Sequence, residues 1–144
     1  MTQVDFYILG SDSEDARLKL ACKIADKAMQ QSQHVFIHAA SEAEARRLDE
    51  LLWTFSQGSF IPHSIIGTPP AGPPREPVLI GFGLEPVGDR WDVMINLAAD
   101  VPEFFSRYQR VAEVVDGDPA RRERSRDRYR FYRDRGYQLN THQL

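Results

Sequence analysis

Apolar positions along this chain follow two rhythms that take turns. VDFYIL, residues 4–9, is apolar and rich in strand formers, and Gly10 and Ser11 bound it, so it predicts a buried strand. From Ser11 to Ser32 the rhythm changes. Leu18, Leu20, Ala21, Ile24, Ala25 and Met29 recur at helical spacing, with Ser11 or Ser13 placed to cap the start and acids in the first turn. HVFIHA, residues 34–39, reads as a second strand. SEAEARRLDELLWTF, residues 41–55, reads as a second helix: Ser41 and Glu44 stand at capping-box spacing, and Ala45, Leu48, Leu51 and Leu52 form its apolar face. Strand, helix, strand, helix is the order that predicts a parallel sheet covered by helices.

The middle of the chain breaks this order. SQGSFIPHSIIGTPPAGPPREP, residues 56–77, holds most of the prolines; TPPAGPP predicts an exposed irregular loop and SIIG a short edge strand. PVLIGFG (77–83) and WDVMINLA (91–98) predict strands, VPEFFSRYQ a short helix from near Pro102, and RVAEVV (110–115) the last strand. DGDP is a turn. Asp118 as cap and Pro119 at the first helical position open a terminal helix running to about Arg135, which Gly136 stops. YQLNTHQL then reads as an extended strap.

A length of 144 residues fits a single domain, 1–144, with a real core. No segment offers about 18 uninterrupted apolar residues, and the acidic start MTQVDFYILGSDSED lacks the basic region of a signal peptide. The lone Cys22 lies on the apolar stripe of the first helix, where it reads as core, and a single thiol suits a reducing cytoplasm. Charge changes the picture more. From Pro119 onward eight arginines stand against Glu123, Asp127 and Asp134, a balance of +5. The preceding residues carry 10 basic and 18 acidic side chains, a balance of −8. Such asymmetry concerns partners rather than fold.

Catalytic signatures are missing. The first strand-to-helix turn, LGSDSEDA, has one glycine, no Gly-Lys-Ser/Thr and an acidic character that repels phosphate, so no nucleotide-binding loop is predicted. GFG at 81–83 lacks the third glycine and the following helix. His34, His38, His63 and His142 are scattered without metal-ligand spacing, and no serine sits in G-x-S-x-G. No metal and no cofactor is expected. A small α/β enzyme with a carboxylate site at the strand ends stays open, but these negatives favour a binding module.

On a helix over 119–135, Arg122, Arg126, Tyr129 or Arg130, and Arg133 step by three and four and share a stripe. Of Phe131 and Tyr132, one is expected to anchor the helix on the sheet. The interleaved acids allow a salt-bridged, solvated surface as the plain reading. The alternative is a basic groove with aromatic walls, Tyr129 and Tyr137 offering an apolar floor. Two ligands fit it: single-stranded nucleic acid, through phosphates and stacked bases, or an acidic peptide ending in an apolar or aromatic residue. The patch is short and its surroundings acidic, which leans toward the peptide.

The opening DFYIL, RLDELLW at 47–53, SFIPH at 59–63, DVMINL at 92–97, VVD at 114–116 and RYRFYRDRGYQLNT at 128–141 occur in an order and spacing that resemble the chi subunit family of bacterial DNA polymerase III holoenzyme. The resemblance covers nearly the whole chain. It implies a non-catalytic, three-layer α/β protein with a mostly parallel, Rossmann-like sheet. It implies pairing with the psi subunit, through psi a link to the clamp loader, and binding of the acidic C-terminal tail of single-stranded DNA-binding protein. It also implies a contact with a helicase-like repair protein on the psi surface. Carried over by position, the tail site falls on Arg122, Arg126, Tyr129, Arg130, Gly136, Tyr137 and Thr141, and the psi site on Trp53, Phe60, Ile61, Pro62 and His63. The turn DGDP departs from the apolar residues that family members can carry there, placing Asp118 at the edge of the tail site.

Overall fold

A computed structural model of the chain describes residues 1–54, 61–66, 76–86, 88 and 91–144; the TPPAGPP segment lies outside them. The described residues form seven strands, β1 (Gln3–Ile8), β2 (Val35–His38), β3 (His63–Ile65), β4 (Val78–Gly81), β5 (Val93–Asn96), β6 (Arg110–Val115) and β7 (Gln138–Gln143). Helices α1 (Glu14–Gln30), α2 (Glu42–Thr54) and α3 (Pro119–Asp134) and a 3-10 turn at Glu103–Arg107 complete the set. The strands make one open sheet in the order β3-β4-β2-β5-β6-β1-β7, and every pair is parallel. Central β2, β4 and β5 are buried along their whole length, as a sheet covered on both faces requires.

Alternation along the strands sorts the core into two layers. Val35 and Ile37, Val78 and Ile80, Val93 and Ile95, and Ala112 and Val114 meet Leu18, Ala21, Cys22, Leu48 and Leu52 from α1 and α2. Val4, Phe6, Phe36, Met94, Val111 and Val115 face the other way, against Phe105, Tyr108 and the α3 residue Tyr132. The helix starts follow the caps in the sequence. Ser13 Oγ accepts the Ala16 amide at 3.4 Å, and Asp118 accepts the Arg121 amide at 2.9 Å. In α2, Ser41 Oγ accepts from the Glu44 amide, but Glu44 reaches back to the Ala40 amide at 3.1 Å, one residue beyond the usual capping box. The expected helix at 101–109 closes up into a 3-10 turn, with Pro102 before it and extended Tyr108 after it.

One expectation is corrected. RVAEVV is not the last strand: the presumed strap forms β7, which pairs with β1 in register from Gln3 and Gln138 to Ile8 and Gln143. QLNTHQ lacks the apolar run that marks a central strand, because as an edge strand it buries little. Helix α3 is the crossover that carries the chain from β6 over β1 to β7. Gly136, with φ of 79°, makes the turn between helix and strand.

A buried polar cluster fastens α3 to the sheet. Glu113 on β6 is fully buried and accepts bonds from Arg128 Nε at 2.9 Å, Tyr132 Oη at 2.7 Å and Asn96 Nδ2 at 2.9 Å. Arg128 also donates to the Ala99 carbonyl at 2.9 Å, and His38 Nδ1 meets Asn96 Oδ1 at 3.0 Å. Removing one member strands the others without solvent. Glu113→Ala leaves the Arg128 guanidinium buried and unpaired and is expected to lower the unfolding free energy by about 3–5 kcal/mol. Tyr132→Phe removes one bond and is expected to cost about 1–2 kcal/mol. Urea titration with an unchanged slope checks both. Burial holds the His38 pKa below its ordinary 6.5, against smaller opposing contributions from the Asn96 bond and from Glu113 and Glu44. The neutral ring is therefore favoured in the fold: its stabilisation is complete above pH 6.5 and is lost as pH falls below that toward the folded value. His38→Gln should flatten that part of the acid limb in thermal melts. Burial also raises the Cys22 thiol to about 12, so a thiol reagent at neutral pH should label it only after unfolding.

Candidate interaction sites on the terminal helix and the second helix

On α3, Arg122, Ser125, Arg126 and Tyr129 lie three and four residues apart and share one flank. Phe6 and Ile8 of β1 stand beside Thr141 and Gln143 of β7, because the parallel register pairs Phe6 with Thr141 and Ile8 with Gln143. With Val115, these residues line an open groove of about 410 Å³. Tyr129 forms a wall, held by an edge contact to Phe6 with ring centroids 5.3 Å apart. The floor is apolar, and one rim carries guanidinium groups. Such a hollow suits an apolar or aromatic group that ends in negative charge.

Four of the eight arginines of the basic segment are neutralised by acids within the fold. Arg121 grips buried Asp116 through two nitrogens, with contacts of 2.6–3.2 Å. Arg128 serves Glu113, while Arg130 pairs with Asp127 and Arg133 with Asp134 at 3.2 Å each. Arg135 lies 3.6 Å over the Phe131 ring. Arg122 donates from Nε to the Asp116 carbonyl at 3.0 Å, which positions it on the groove rim. Arg126 is exposed and has no ion-pair partner among the described residues. Asp118 turns its carboxylate to the Arg121 amide in the first turn of α3, where it caps the helix.

Of the seven tail-site positions taken from the sequence, Arg122, Arg126, Tyr129 and Thr141 converge on this groove. Arg130 turns out to solvent with Asp127. Gly136 forms the turn after the helix, and Tyr137 packs across the other flank against Phe105 at 5.2 Å and Tyr132 at 6.4 Å. Of the residues lining the groove, sequence reasoning missed Ser125, Phe6, Ile8, Val115 and Gln143. Ser125 keeps the helical step of three from Arg122, a signal that was available. The strand residues depend on β7 pairing with β1, which no local pattern announces.

The second set clusters near the end of α2. Trp53 is 54% exposed, and its ring meets His63 edge-on at 4.7 Å. His63 is buried, with its ring nitrogens at 2.6 Å from the Ile61 carbonyl and 3.2 Å from the Asp49 carbonyl. Ile61 is core, at 1% exposure, and Pro62 is half-buried between them. Phe60 lies outside the described residues. Among the described residues of the set Trp53 is thus the exposed aromatic, and buried His63 packs against its ring.

Residues 1–140 match the family model described as DNA polymerase III chi subunit, HolC. The DNA polymerase III subunit chi of Pseudomonas aeruginosa is 44% identical over 144 residues, covering the whole of this chain and 98% of the relative. That of Escherichia coli is 32% identical, over 98% of this chain and 97% of the relative, and that of Haemophilus influenzae 30%, over 94% and 93%. A family match that runs almost end to end, with relatives of nearly equal length, places this chain in the DNA polymerase III chi subunit family, among the accessory subunits of a replicative polymerase.

Proposed function

We propose that the chain is a non-catalytic adaptor that joins the psi subunit, and through it the clamp loader, to the acidic C-terminal tail of single-stranded DNA-binding protein. One observation carries the tail half of this reading. Arg126, a guanidinium with no ion-pair partner among the described residues, stands beside a fixed aromatic wall, Tyr129, over an apolar floor. A tail that ends in acids and a ring is complementary to that combination: the ring takes the floor against Tyr129, and the terminal carboxylate meets Arg122 or Arg126. Exposed Trp53 beside His63 supports the psi half, since a large aromatic left in solvent is an interface anchor. A helicase-like repair protein would use the same face. Direct binding of single-stranded nucleic acid is the weaker reading, because Arg121, Arg128, Arg130 and Arg133 are paired with acids and the other arginines are divided, Arg122 and Arg126 on the groove, Arg124 on the opposite flank and Arg135 over Phe131, which leaves no extended phosphate track.

The test sets Arg126→Ala and Trp53→Ala against three ligands: psi, a peptide ending in acidic residues and Phe, and an oligonucleotide. Arg126→Ala is expected to weaken the peptide roughly tenfold or more while leaving psi unchanged. Trp53→Ala is expected to do the reverse. Both substitutions are at exposed positions, and circular dichroism should register no loss of structure. Tight oligonucleotide binding that Arg126→Ala abolishes, with peptide binding absent, would replace the adaptor with the nucleic-acid reading.

A further inference from the structure

The opposite face of the same sheet edge holds a second hollow. Strand β1 and the residue after it alternate: Phe6 and Ile8 line the groove beneath α3, whereas Tyr7 and Leu9 line a trough of about 630 Å³ beside α1. Leu20, Ile24 and Ala28 continue its apolar floor along α1. Its rim is cationic. Lys19, Lys23 and Lys27 step by four along α1, so they share a stripe about 12 Å long. They are the only lysines in the sequence, and they sit in the part of the chain whose balance is −8.

These lysines differ from the arginines of α3. All three are exposed, and none has a carboxylate within ion-pair distance among the described residues. Arg110 closes the trough from β6, already leaning on Asp5 at 3.6 Å. A solvated helix face commonly carries lysines, but here they border an apolar floor over which Leu9 and Leu20 stay partly exposed, above buried Ile24 and Ala28, with Leu144 on its lip and 63% exposed. The floor is aliphatic, and its one aromatic ring, Tyr7, is already stacked on His142 at 4.7 Å and 15°. No free platform is left for a nucleic-acid base. Lysine ammonium groups are point charges that suit a row of carboxylates without demanding a forked geometry.

We infer that this trough docks an acidic amphipathic segment of a partner protein, its apolar side chains on Leu9 and Leu20 and its carboxylates along Lys19, Lys23 and Lys27. The site lies on the other side of the sheet from the groove of Arg126 and is independent of it. Both could be filled at once.

The experiment uses the full chain and a fluorescein-labelled amphipathic peptide of about 15 residues, with a leucine face bordered by glutamates, read by anisotropy. Saturable binding is expected. The combined variant Lys19→Gln, Lys23→Gln, Lys27→Gln should weaken it about tenfold, the sum of three exposed ion pairs of ordinary strength. Raised salt should weaken it too, and Arg126→Ala should leave it unchanged. These substitutions lie at exposed positions, and a melting curve like that of the unaltered chain confirms a folded variant. A second peptide keeps the glutamates and replaces the leucines with glutamine. If it binds equally well, the apolar floor has no role and the proposal falls. Failure of the first peptide to bind, or binding indifferent to the three lysines, overturns it as well. So does lysine-dependent binding of a single-stranded oligonucleotide, or a lysine-dependent dimer in sedimentation, since the occupant would then be nucleic acid or a second copy.

Discussion

The carboxylate of Glu113 is the point on which the α3 side of the molecule depends. It sits on a central strand, fully buried, and takes donors from β5 and from two turns of α3. A charge in that position is tolerable only while the Arg128 guanidinium and the Tyr132 hydroxyl stay in place. Its geometry therefore fixes both the rotation of α3 about its axis and its height above the sheet. With Arg128 and Tyr132 turned inward, Arg122, Arg126 and Tyr129 must face the β1–β7 edge. The groove is a consequence of the buried ion pair on the neighbouring flank of the same helix.

The same logic explains why a segment with eight arginines forms a restrained surface. Its acids are spaced to take up Arg130 and Arg133, and β6 and the residue after it supply Glu113 and Asp116 for Arg128 and Arg121. On the groove rim that leaves Arg122 and Arg126, while Arg124 and Arg135 lie elsewhere on the helix. A groove of this kind would select by shape and one or two charges, whereas an unbroken basic face would attract any polyanion.

The architecture was largely legible in the sequence because parallel sheets announce themselves. VFIH, VLIG and VMIN are short runs buried on both sides, and they stand between segments of helical period. QLNTHQ was not legible as a strand, since an edge position asks for little burial. On α3 the spacing of Arg122, Arg126 and Tyr129 was readable as one stripe. The inward turn of Arg128 was not: its partner Glu113 is fifteen residues earlier in sequence and is indistinguishable there from a solvated acid. Tyr137 was grouped with Tyr129 by proximity in the chain, but the left-handed turn at Gly136 sends it to the other flank.

Strand β1 acts as a partition between two chambers, with Phe6 and Ile8 furnishing one room and Tyr7 and Leu9 the other. Since successive side chains must point to opposite faces, an insertion or deletion of a single residue here would exchange the furnishings of both. Each cavity would then be lined by the groups meant for its neighbour. Such a lesion would leave composition and charge almost untouched while erasing the identity of two surfaces together.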